Sequence, residues 1–162
     1  GTFTKDGSYR AAAAELPELR ELGIDIVELM PVADFPGQFG WGYDGVNFFA
    51  PCRLYGRPED LKYFIDQAHA QDIAVVLDVV YNHFGPEGAY IHTIAPQTFS
   101  DRYSTPWGHA INVDGDESGP VREFFIGQYH EKALAIDERL GRRGERQRDD
   151  GVERGAARAR PL

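Results

Sequence analysis

Two short runs rich in β-branched and aliphatic residues, 24–30 and 73–80, flank a stretch in which Leu61, Phe64, Ile65 and Ala68 recur at i, i+3, i+4 and i+7. That spacing puts the four on one face of a helix over residues 57–71. Strand, helix, strand in this order is the pattern of a crossover between two parallel strands. The runs are mostly apolar rather than alternating, as expected of parallel strands covered on both faces. Pro58 suits the first turn of the helix, and Glu59 and Asp60 complement the positive end of its dipole.

The flanks extend the pattern. Residues 11–22 have helical spacing, with Ala12, Leu16, Leu19 and Leu22 on one face and Gly23 placed to cap the end. Pro17 has no N–H to donate, so this helix either begins near it or bends there. Residues 40–51 form a loop rich in glycine and aromatics. The segment from 82 to about 119 is too long for an ordinary connector, and 121–140 has imperfect apolar support for a third helix. Helix, strand, helix, strand, helix predicts an α/β fold with a parallel sheet.

Composition narrows the partners. The net charge is −9, so binding to nucleic acid, which needs clustered Lys and Arg, is not expected. Residues 1–138 carry 9 basic and 22 acidic side chains, whereas 139–162 carry 8 and 4, which marks a boundary near Leu140. The tail 141–162 is mostly Arg, Gly, Ala and Asp and is too poor in apolar surface to offset the entropy of ordering. It is expected to be disordered, and its composition suggests an out-of-frame reading of GC-rich DNA. Cys52 is alone, so no internal disulfide forms. No run of about 18 apolar residues is present to span a membrane. A cytoplasmic location is the default expectation.

Candidate chemistry concentrates in three places. Asp78 ends an apolar strand run and is followed by Asn82 and His83. In a parallel sheet, sites form at the carboxyl ends of strands. A carboxylate, an amide and an imidazole together suit sugar hydroxyls, which both donate and accept. On residues alone, a local capping role for Asp78 and a satisfied loop histidine at His83 stand beside that reading. In the loop, Tyr43 could stack on a pyranose, while Trp41 reads more readily as a packed plug. In the long segment, Trp107 reads as packing and Glu87 as a surface carboxylate. His69, His83, His92, His109 and His130 never reach the spacing of a zinc site. Asn82 with Asp114 and Asp116 could approach Ca²⁺, but without a recognisable calcium loop.

The run Asp78-Val-Val-Tyr-Asn82-His83 resembles the first conserved region of the α-amylase superfamily of glycoside hydrolases, glycoside hydrolase family 13. Within it, the phrases Glu28-Leu-Met-Pro-Val-Ala-Asp-Phe-Pro-Gly37, Trp41-Gly-Tyr-Asp-Gly-Val46, Asn82-His-Phe-Gly-Pro-Glu-Gly88 and Thr105-Pro-Trp-Gly108 are most similar to the malto-oligosyltrehalose trehalohydrolases, with several shared by glycogen branching enzymes. The resemblance covers about residues 1–126. It implies a partial (β/α)8 barrel, about the first three βα units over 1–140, with 141–162 outside it. A complete barrel needs about 250 residues. It further implies that Tyr43 stacks on the sugar beside the scissile bond, that His83 binds one of its hydroxyls, that Asp78 braces the catalytic groups, and that Asn82 and Trp41 support them. The implied substrate is a malto-oligosaccharide or maltooligosyl trehalose, with no cofactor and no metal.

The resemblance also implies what is missing. The family is a retaining one, whose nucleophile and acid/base lie on barrel strands four and five, roughly 5–5.5 Å apart across the bond. Neither strand motif follows the third helix, and Asp137-Glu138 has no apolar strand leading into it. The chain is therefore expected to be a fragment, inactive alone. A non-enzymatic glucan-binding module and a truncated product without function are the competing readings.

Overall fold

A computed structural model describes residues 1–127. The chain divides into two compact units, Gly1–Gly115 and Asp116–Leu162. The expected boundary near Leu140 and the expected tail lie outside the described residues.

The first unit is built on one parallel strand pair. β1 (Ile26–Leu29) lies beside β4 (Ala74–Leu77) in register, Ile26 opposite Ala74 and Leu29 opposite Leu77. The crossover is the helix α3 (Pro58–Ala70), as the apolar spacing predicts. Its start is fixed by Pro58 in the first turn and by the Asp60 carboxylate, which accepts the Arg57 N–H at 2.9 Å.

The predicted helix over 11–22 is two helices, α1 (Tyr9–Ala14) and α2 (Leu16–Glu21). They part at Glu15, two residues before Pro17, because proline fits a first helical turn and not an interior. Gly23 closes α2 at φ +82° and donates to the Arg20 carbonyl. Leu16 is fully buried, and Ala12 and Leu19 pack with it, but Leu22 is exposed, since the break turns it off the shared face.

The core lies between the helices and one face of the sheet. Tyr9, Ala13, Leu16, Phe64, Ala68 and Ile73 are buried together, with Val27, Leu29 and Val75 of the strands packed against them. Burying a side chain such as Leu16 or Phe64 contributes about 1.5–3 kcal/mol. Arg10 Nε also bonds Asp60 Oδ1 at 2.6 Å, tying α1 to α3.

The other face of the sheet is open. Ile26, Met30 and Val76 are about half exposed or more, so the expectation of strands covered on both faces is not met. Among the described residues each strand pairs only with the other, and no further strand reaches across to cover that face.

The two long loops also contain structure that the sequence reading missed. β2 (Ala33–Asp34) pairs antiparallel with β3 (Asn47–Pro51), so the glycine-rich loop leaves and returns through a small sheet. The segment after β4 holds the short helix α4 (Ile91–Ile94) and a hairpin of β5 (Phe99–Thr105) and β6 (Gly108–Ile111). Thr105 Oγ1 accepts the Trp107 N–H at 3.1 Å and donates to the Gly108 carbonyl at 3.0 Å, which closes the hairpin turn. In the second unit, residues 118–127 are helical, three residues earlier than the predicted third helix. The remainder of that prediction lies outside the described residues.

Candidate functional site

The site forms where β1 and β4 end. The Asp78 N–H donates to the Leu29 carbonyl at 2.9 Å, carrying the parallel ladder one step past β4. Asp78 therefore stands at the carboxyl end of the pair, as expected, and is only partly buried. Its Oδ2 faces the Tyr43 hydroxyl, which donates across 3.4 Å.

Tyr43 is brought there by its glycines. Gly42 has φ +92°, and a Cβ on it would stand 2.3 Å from the Pro31 carbonyl oxygen, so only glycine lets the loop pass this close to the end of β1. Gly85, on the far side, donates its N–H to the Gly45 carbonyl at 2.9 Å. A Cβ on Gly85 would lie 2.1 Å from the Asp44 carbonyl oxygen. The two loops meet backbone to backbone, and Phe48 of the first stacks on Phe84 of the second with centroids 4.4 Å apart.

His83 joins three segments. Its Nε2 donates to the Tyr43 carbonyl at 3.1 Å, since a carbonyl can only accept. Its Nδ1 lies 3.2 Å from the Asn82 side-chain amide. It also bridges to Ala110 of β6, while the Asn82 carbonyl accepts the Ile111 N–H at 3.0 Å. His83 is 4% exposed, and its ring lies nearly parallel to the Trp107 indole, 5.3 Å between centroids.

Both ring nitrogens of His83 have partners within the protein, the Tyr43 carbonyl at Nε2 and the Asn82 side chain at Nδ1. Trp41 departs from its reading as a plug: it is 83% exposed because the glycines on either side carry it outward. Trp107 packs on His83, as expected, yet keeps half of its surface open.

An open cleft of about 680 Å³ brings the candidates together. Tyr43, Asp78, His83, Asn82 and Trp41 all line it, which is also within the range of small-molecule sites. So do Phe39, Asp44 and Trp107. Phe39 was not singled out from the sequence. Its alternation with glycine and Trp41 along 39–42 is the signal that could have found it. Glu87 does not line the cleft. Among the described residues, no group of three or more His, Cys, Asp or Glu side chains is placed to hold a metal ion, and no helix is long and apolar enough to cross a membrane.

Parallel strands, a crossover helix and a cleft at the strands' carboxyl ends define the class: an α/β fold whose site lies at the ends of its strands. The chain belongs to the α-amylase family, whose catalytic domain, "Alpha amylase, catalytic domain", matches residues 2–139. It is 55% identical over 142 residues to the malto-oligosyltrehalose trehalohydrolase of Deinococcus radiodurans, an alignment covering 85% of this chain and 24% of that protein. It is 42% identical to the enzyme of the same description from Saccharolobus solfataricus, covering 85% and 26%. The 1,4-alpha-glucan branching enzyme GlgB of Rhodospirillum rubrum is 34% identical, covering 80% and 19%. The chain thus spans about a quarter or less of the length of these curated relatives. A crystal structure of an alpha-amylase-type protein from Salmonella typhimurium superposes with a TM-score of 0.73 at 53% identity, covering 78% of this chain and 21% of that one. The alpha-amylase of Geobacillus thermoleovorans, at 21% identity and a TM-score of 0.65, shares the fold.

Proposed function

We propose that this chain supplies the sugar-holding side of a retaining glycoside hydrolase that cleaves the α-1,4 bond next to a terminal trehalose in maltooligosyl trehalose. The observation that carries the reading is the meeting of Tyr43 and Asp78 at the ends of β1 and β4, an aromatic face beside a hydrogen-bond acceptor. A pyranose presents the matching surfaces, an apolar face and a rim of hydroxyls. Identities of 55% and 42% to the two trehalohydrolases favour this substrate over that of the branching enzyme at 34%.

In this reading β1 and β4 are neighbouring strands of a (β/α)8 barrel, within about its first three βα units. Tyr43 stacks on the sugar beside the scissile bond, and Asp78 accepts a hydroxyl while orienting the Tyr43 phenol. His83, with Asn82, holds the Tyr43 loop at the wall of the cleft, and Trp41 extends the rim. Neither Asp44 nor Asp78 is the nucleophile. In this reading that group and the acid/base belong to barrel strands four and five, whose motifs the sequence does not carry, and this chain alone binds without cutting. No metal or cofactor is called for.

Calorimetric titration with maltoheptaose tests the reading. Saturable heat at millimolar ligand is expected, weakened about tenfold or more by Asp78→Asn, because a hydrogen bond to a charged group contributes about 1.5–3 kcal/mol. Unchanged affinity in that variant would leave Asp78 as no more than a local cap.

A further inference from the structure

Arg53 opens the short helical turn Arg53–Tyr55 after β3 and reaches back to the chain that follows β2. Its Nη1 donates to Asp34 Oδ1 and to the Phe35 carbonyl, both at 2.9 Å, and its Nη2 donates to the Gly37 carbonyl at 3.1 Å. Its backbone N–H adds a fourth bond, to the same Asp34 oxygen at 3.2 Å. A planar guanidinium suits such a set of acceptors, because it presents several N–H groups in a fixed fork. Phe35, held by its carbonyl, is 2% exposed. A Cβ on Gly40 would lie 2.7 Å from the Phe35 ring, so the backbone of residue 40 rests directly on that ring. Gly40 stands between Phe39 and Trp41, and all three line the cleft with Tyr43. Phe39 is 92% and Trp41 83% exposed, so neither ring has enough burial to hold the segment in place by itself.

We infer that Arg53 is a positioning residue, which sets the place of segment 39–43 at the cleft through Phe35 and does not meet the ligand itself. The inference rests on the proposed sugar site and adds a residue to it. Arg53 does not line the cleft. Its influence passes from the guanidinium to the carbonyls of Phe35 and Gly37, from the Phe35 ring to Gly40, and from Gly40 to the rings on either side. Without the guanidinium both carbonyls lose a donor, and the ring beneath Gly40 is free to shift. Phe39 and Trp41 then sample more orientations, and a ligand that binds against them must carry the entropy of ordering them. The Arg53 side chain is 56% exposed, so its loss leaves no cavity in the core and should change global stability little.

The chain contains only two tryptophans, so Trp107→Phe leaves Trp41 as the sole indole, and its emission anisotropy reports the mobility of the segment. In that background Arg53→Met should lower the anisotropy at temperatures well below unfolding, a change that a role in stability alone would not produce. Arg53→Lys keeps a positive charge beside Asp34 but has no fork for the two carbonyls, so it should show the same loss. With Trp107 in place, either substitution should weaken maltoheptaose binding by calorimetry about two- to tenfold, the range of one hydrogen bond's net contribution. Unchanged anisotropy, or lowered anisotropy with undiminished affinity, would overturn the inference while leaving the Tyr43 site standing. Full anisotropy and affinity in Arg53→Lys would also overturn it, since charge beside Asp34 would then suffice. Absence of maltoheptaose heat in the unaltered chain would remove the sugar site and its positioning residue together. Should Arg53→Met fail to fold, the lysine variant carries both measurements.

Discussion

The Nε2 of His83 donates to the backbone carbonyl of Tyr43, 3.1 Å away, and so fastens the loop that carries the phenol to the strand end that carries Asp78. His83 lines the cleft and is nevertheless 4% exposed. His83→Ala should therefore act in two ways. It should cost about 2–4 kcal/mol of stability, from a lost buried hydrogen bond and the cavity left behind, measured by urea unfolding. It should also weaken maltoheptaose binding under conditions where the fold persists, because Tyr43 loses its anchor. Full stability with weakened binding would instead assign the imidazole to the sugar.

Gly85 is a sharper probe of the same junction. A methyl group there would stand 2.1 Å from the Asp44 carbonyl oxygen, so the two loops must separate. Gly85→Ala should destabilise the chain by about 1–3 kcal/mol, the range for overpacking a close contact. It should lower glucan affinity without touching any group that meets the sugar. Thermal unfolding and calorimetry check the two effects separately.

Acid should loosen the helical side of the core. The Arg10 guanidinium, bonded to Asp60, holds that carboxyl below its ordinary value of 3.8, aided by the Arg57 N–H. A lowered folded value means that the pair stabilises the fold above the unfolded carboxyl value and stops doing so as pH falls through the folded one. The contribution is small, because the pair is exposed to solvent. Unfolding midpoints measured from pH 6 down to 2 should fall less steeply in Asp60→Asn than in the unaltered chain, and equal slopes would show the pair to be inert.

The open face of the sheet should drive self-association. Ile26 is 61% and Val76 47% exposed, on strands that among the described residues pair only with each other. Glu28 lies directly opposite Val76 in the register. Val76→Lys should place opposite charges side by side across the strands and reduce the concentration-dependent growth in size seen by light scattering. Undiminished association would place the sticky surface elsewhere.

These variants also show what the sequence could and could not tell. The crossover over α3 was legible because Leu61, Phe64, Ile65 and Ala68 share one face and little else competes for them. Asp78 was legible because a carboxylate after an aliphatic strand run stands out. The hairpin of β5 and β6 was not, because its residues, from Phe99 to Ile111, are largely exposed and carry no core periodicity. The engagement of His83 was hidden for a different reason. Its partner is the carbonyl of Tyr43, and a backbone atom has no signature in a string of side chains. The exposure of Trp41 was misread because aromatic bulk suggests burial, whereas the glycines beside it decide where the loop carries the ring.

The central claim, that this chain holds a glucan without cleaving it, is tested most directly by following maltooligosyl trehalose by NMR in the presence of the chain alone. Saturation transfer from protein to the glucosyl protons, with no free trehalose accumulating over days, is the predicted outcome. Steady release of trehalose, or the absence of any transfer at millimolar substrate, would contradict it.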